Sequence, residues 1–126
     1  VLPAATSTPE PPSWLQEPGK QAWAIIWSCA HWLNVERDGW WVGQFARATD
    51  EVAIYRERIA TDGLMLTGSM GQDVANPLIA EIRKLEDQMI RIRRELGLSP
   101  SASAKLGLVE VKAMSALEAF KKDHAR

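Results

Sequence analysis

Two stretches of the chain repeat apolar residues at gaps that alternate between four and three. The first runs Trp41, Phe45, Ala48, Val52, Tyr55, Ile59, and the second Leu78, Ile82, Leu85, Met89, Ile92, Leu96. This spacing is a heptad seam, which keeps one side of a helix turned to a partner. Asp38 is of the right type to cap the start of the first helix, and Gly63 after Asp62 to end it. Asn76-Pro77 opens the second, the asparagine as cap and the proline where its missing N–H costs nothing, and Gly97 closes it. Residues 63–75 hold three glycines and no helical period. Two matched seams joined by one such connection predict a long antiparallel hairpin, residues 38–62 against 76–96. The connection has room for a short strand pair around Leu64 to Thr67.

Another helix is expected before the hairpin, from about Pro18 to Val35, because Trp23, Ile26, Trp27, Ala30 and Leu33 recur at helical spacing. Residues 1–13 contain four of the seven prolines and otherwise small or polar residues. They cannot bury enough surface to offset their ordering entropy, so a disordered arm is expected there. Beyond Gly97, Ser99-Pro100 restarts a short turn or helix over Ser101 to Leu106. Val109 to Phe120 reads as a terminal helix. The chain thus divides into an arm (1–13), a helical core with the hairpin (14–107) and a C-terminal helix (108–126). The expected fold class is all-α.

Composition narrows the chemistry. The 126 residues carry a net charge of −1, one cysteine and two histidines far apart in sequence. No intramolecular disulfide can form, a reducing compartment fits, and no Cys/His cluster offers a zinc site. There is no apolar run long enough to span a bilayer, and Val1 to Pro12 lack the basic and apolar regions expected of a signal peptide. The charge is unevenly spread: residues 81–126 hold ten basic and seven acidic groups, while both preceding segments, 1–50 and 51–80, are net acidic. A local polyanion-binding surface or a solvated helix face with paired charges accounts for this equally well.

The candidate sites are correspondingly few. Trp23, Trp27 and Trp41 lie on the stripes and are expected in the core, whereas Trp40 lies off the seam and suits an interface or surface packing equally. Cys29, amid Trp and Ala, is expected to be buried and inert, and His31 to be a satisfied helix histidine. Glu36 with Asp38, and Glu86 with Asp87, do not form dyads, because such neighbours on a helix point to different faces. Gly68-Ser-Met-Gly71 lacks the lysine of a phosphate-binding loop. No catalytic residue, cofactor or metal is expected. The best polar signal is Arg83, Lys84, Arg91, Arg93 and Arg94, with Glu81, Glu86, Asp87 and Glu95 interleaved.

The order of four features resembles the ring-forming, helical-hairpin type of phage terminase small subunit. They are Pro12-Ser-Trp14-Leu15 followed by Trp23; Leu33, a break, and Asp38 opening a long helix; Gly68 to Gly71 leading to Asn76-Pro77; and Leu96-Gly97-Leu98-Ser99-Pro100-Ser101. The resemblance covers about residues 12–107. It implies a non-catalytic subunit that binds viral double-stranded DNA in the host cytoplasm, forms a ring, and recruits and regulates the large subunit bearing the ATPase and nuclease. On that basis Arg83, Lys84, Arg91, Arg93, Arg94 and Lys105 are the expected DNA contacts. Trp41, Phe45, Val52, Leu85, Met89 and Ile92 are the expected oligomerisation residues. Family members usually place an arginine three or four residues after the position of Pro100, where this chain has Ser103 and, nearby, Lys105. Read from the residues alone, a helix-turn-helix regulator and a coiled-coil adaptor without a DNA role remain alternatives.

Overall fold

A computed structural model describes residues 8–109. Its elements are α1 (Glu17–Cys29), α2 (Val35–Asp62), the strands β1 (Met65–Thr67) and β2 (Asp73–Ala75), and α3 (Pro77–Leu96). A further helix, α4, is described over 100–109. The fold is all-α apart from the antiparallel β1–β2 ribbon, in which Met65 faces Ala75, Leu66 faces Val74 and Thr67 faces Asp73. The long α2–α3 hairpin is present where the two seams predict it, and α1 packs on the first half of α2. The expected arm is tied down from Pro9, whose carbonyl accepts the Trp23 indole N–H at 2.8 Å. The expected terminal helix beyond Val109 lies outside the described residues.

The core explains the arrangement. Ile26 and Val42 are fully buried, and Phe45, Val52, Met89, Ile92 and Leu96 nearly so. Because α2 meets α1 on one side and α3 on another, its buried surface is wider than a seam. Phe45, Ala48 and Val52 follow the heptad, while Val42, Ala46, Thr49 and Asp50 are buried beside them. Trp41 is displaced as a result. The seam assigns it to the core, but it is 42% exposed, and Val42 takes the interior place.

The helix boundaries differ at one junction. α1 stops at Cys29 rather than near Val35, and residues 31–34 form the turn. His31 is therefore an exposed turn residue rather than a helix histidine, and Cys29 is half-buried rather than buried. Asn34, not Asp38, caps α2: its side chain accepts the N–H groups of Glu36 and Arg37. Asp38, one turn in, accepts the Asn34 backbone N–H at 2.9 Å and pairs with Arg37 at 2.9 Å. Both residues satisfy donors at the helix start, Asn34 as the cap and Asp38 by reaching back to the Asn34 N–H. The other caps form as expected. Asn76 accepts from Leu78 N–H ahead of Pro77, and Gly97 adopts the left-handed conformation that ends α3. α4 runs without interruption through the break expected after Leu106.

The hydrogen bond from Arg37, together with the Asn34 N–H, holds the Asp38 carboxyl below the usual aspartate range. A depressed carboxylate contributes stability that is fully present above its unfolded pKa and is lost as the pH falls through its folded one. Asp38→Asn should therefore lower stability at neutral pH. The gap to wild type should close as the pH falls below the ordinary aspartate value of about 3.9. Urea unfolding of both proteins at several pH values checks this.

Candidate nucleic-acid interface

The outer face of α3 is built by what its seam leaves over. With Ile82, Met89, Ile92 and Leu96 turned inward, Arg83, Arg91 and Arg94 are exposed. Arg83 and Arg94 are eleven residues apart, three helical turns, so they lie one above the other at about 16 Å. Arg91 stands one turn before Arg94. Asp87 falls between Arg83 and Arg91 at helical i,i+4 spacing and is also exposed.

The other cations of the helical core are largely matched. On α2, Arg47 pairs with Glu51 at 3.0 Å, Arg58 with Asp62 at 2.7 Å, and Arg56 reaches across to Glu86 of α3 at 3.2 Å. Lys84 leans back to Glu81 at 3.3 Å. Arg83, Arg91 and Arg94 make no ion pair among the described residues. An unmatched, solvent-facing guanidinium is free to meet phosphate, whereas a paired one must first give up its partner.

The remaining two basic residues of the expected set sit differently. Arg93 is half-buried, its guanidinium 6.0 Å from the centre of the Phe45 ring, so it braces the hairpin. Lys105 is exposed on α4, its Nζ 4.0 Å from Cys29 Sγ. The basic groups thus lie on two elements, α3 and α4.

Of the six residues expected at an oligomer seam, four are spent inside one chain. Phe45, Val52, Met89 and Ile92 hold α2 against α3 and present no surface to another copy. Leu85 is half-buried and packs against the same core, and Trp41 is exposed. Large apolar groups do reach solvent elsewhere, at Trp14, Trp32, Trp40 and Ile54. Trp40 stacks edge-on against Trp41, centroids 4.8 Å apart, and the Trp14 ring lies near Gly43, one turn further along α2. Trp32 donates its indole N–H to the Leu96 carbonyl at 2.8 Å, tying the α1–α2 turn to the end of α3. Of the tryptophan collar, Trp14, Trp40 and Trp41, the heptad pattern marks only Trp41, and it assigns that residue to the core; the other two lie off the seams.

Among the described residues no group of His, Cys, Asp or Glu is arranged to hold a metal ion, and no helix is long and apolar enough to cross a membrane. A family model described as phage terminase, small subunit, matches residues 19–113. The chain belongs to this family. Terminase small subunits serve phage DNA packaging within the host cell and are generally regulatory and non-catalytic, a setting in which DNA is the polyanion at hand. The match spans the arginine face, the Trp40–Trp41 pair and all of the hairpin. No curated protein and no solved structure matches the chain.

Proposed function

We propose that this terminase small subunit binds double-stranded viral DNA through the outer face of α3, acts as a ring-like homo-oligomer of more than four copies, and recruits and regulates the large subunit without catalysis of its own. The observation that carries the DNA assignment is the set of three exposed arginines, Arg83, Arg91 and Arg94, unpaired among the described residues on a chain whose net charge is −1. Lys105 is a further exposed cation on α4, while Lys84 joins the α3 face on leaving Glu81. Arg93 contributes its charge from the side of the hairpin.

Oligomerisation supplies what one copy lacks. Three free guanidinium groups reach few phosphates, and Asp87 and Glu95 stand near them, so a single copy binds DNA weakly. Repetition raises the effective concentration of sites along one duplex. The exposed Trp14, Trp40 and Trp41 suit the contact between copies, since buried tryptophans dominate interface energetics. Light scattering should give a mass above four copies at micromolar concentration, and a monodisperse monomer would overturn the oligomer. Replacing Trp40 and Trp41 together by serine should lower the measured mass while leaving the helical content of each chain intact.

A further inference from the structure

The hairpin has two chemically distinct ends. From Ile59 to Ile82 there is no Lys, Arg or His. The charges in that span are Asp62, Asp73 and Glu81, of which Asp62 is taken by Arg58 and Glu81 by Lys84. Asp73 has no ion pair among the described residues. The same span exposes Leu64, Met65 and Met70, the last 89% exposed at the turn of the ribbon. An apolar knob with a carboxylate and no cation is repelled by a phosphate backbone.

The knob is rigidly built. Gly68 N–H donates to the Gln72 carbonyl at 2.7 Å and Gly71 N–H to the Gly68 carbonyl at 3.0 Å. Met70 N–H donates to Gln72 Oε1 at 2.9 Å. At the base, buried Asn76 donates its backbone N–H to the Leu64 carbonyl at 2.8 Å and its side-chain N–H to the Gly63 carbonyl at 3.0 Å. The turn also needs Gly71, whose φ is +80°. A preformed turn spares a partner the cost of ordering the main chain that carries the methionine.

We infer that the β1–β2 tip is the docking element for the large terminase subunit, at the opposite end of the hairpin from the Arg91 and Arg94 end of the DNA face. This rests on the recruitment of that subunit proposed above. Charge complementarity selects the occupant. Among the described residues, a second copy offers exposed arginines without an ion pair only on the α3 face assigned above to DNA, and its own tip brings the same carboxylate with no cation, while DNA would bring more negative charge. A protein that handles DNA carries cationic surface, and an apolar pocket rimmed by such cations accepts Met65, Met70 and Asp73 together. Each copy then meets the duplex along the flank of α3 and the motor at the tip.

The test uses the full chain and the purified large subunit from the same phage, with binding followed by titration. The triple change Leu64→Ser, Met65→Ser, Met70→Ser should weaken that binding at least tenfold, leaving oligomer mass and DNA affinity as in wild type. Asp73→Lys should weaken it too and flatten its salt dependence. Changing Arg83, Arg91 and Arg94 to Ala should leave it intact. If the wild type binds the large subunit and the tip triple binds equally well, the docking assignment falls while recruitment stands. If the wild type does not bind it, the recruitment reading falls, and this inference with it. Loss of oligomer mass in the tip triple would overturn the assignment in favour of an interface between copies.

Discussion

Replacing Arg83, Arg91 and Arg94 together by alanine is expected to reduce affinity for double-stranded DNA on the order of a hundredfold near 0.1 M salt. Each phosphate that is no longer neutralised should flatten the plot of log affinity against log salt by about 0.9, giving a change of roughly 2 to 3 for each engaged copy. The sequence dependence of binding should not change, because phosphate contacts position a protein without reading bases. All three side chains are exposed and off the buried seam, so helical content should hold. Mass measured on the same preparation decides the cause. If the arginines pair instead with carboxylates of a neighbouring copy, the variant loses mass and DNA binding falls only as a consequence. Wild-type affinity and slope in an intact oligomer would move the DNA-binding surface off this face.

The largest loss of stability from a single polar side chain is expected at Asp50. This buried carboxylate of α2 accepts the backbone N–H of Gln16 at 2.7 Å and of Gly19 at 2.6 Å, at the start of α1. No side chain next to α1 caps that end, so a residue more than thirty positions later does so. The negative charge also faces the positive end of the helix dipole. Asp50→Ala strands two donors, one of them buried, and should cost about 3 kcal/mol. Gly19→Ala attacks the same junction from the other side. Its Cβ would lie 2.5 Å from Asp50 Oδ2 and 2.8 Å from the Ala46 carbonyl, where backbone cannot yield cheaply. That change should cost about 1–3 kcal/mol by crowding. Because both act on one junction, the double variant should lose less than the sum of the two. Chemical denaturation of the four proteins measures the coupling.

The hairpin was legible because its signals agree at every level. The seam, Asn76-Pro77, Gly63 and Gly97 all mark the same boundaries, and each is a local effect that a sequence carries openly. The junction between α1 and α2 was not, since Trp32, Leu33 and Val35 are apolar enough to continue a helix while Asn34 and Asp38 are equally suitable caps. Trp41 was misplaced because a single stripe describes a helix with one neighbour, and α2 has two. Asp50 was invisible for a related reason. Its partners lie across the α1–α2 junction, and a charged residue does not enter an apolar pattern. At the candidate interface, the off-seam positions of Arg83, Arg91 and Arg94 follow from periodicity alone. That Arg93 would lie beside Phe45 does not, because their approach crosses between two helices.

All six tryptophans fall between positions 14 and 41, so the ultraviolet emission of this protein comes from one pole of the hairpin. The buried pair Trp23 and Trp27, with centroids 5.7 Å apart, emit from an apolar setting, and the exposed Trp14, Trp32, Trp40 and Trp41 from a wet one. The tip around Met70 is optically dark. A ligand that shifts or quenches the red part of the spectrum points to the collar or the α1–α2 turn, and one that binds without any change of colour points to the flank of α3 or the far end. The intrinsic fluorophores thus act as a position sensor along the molecule, with no label added.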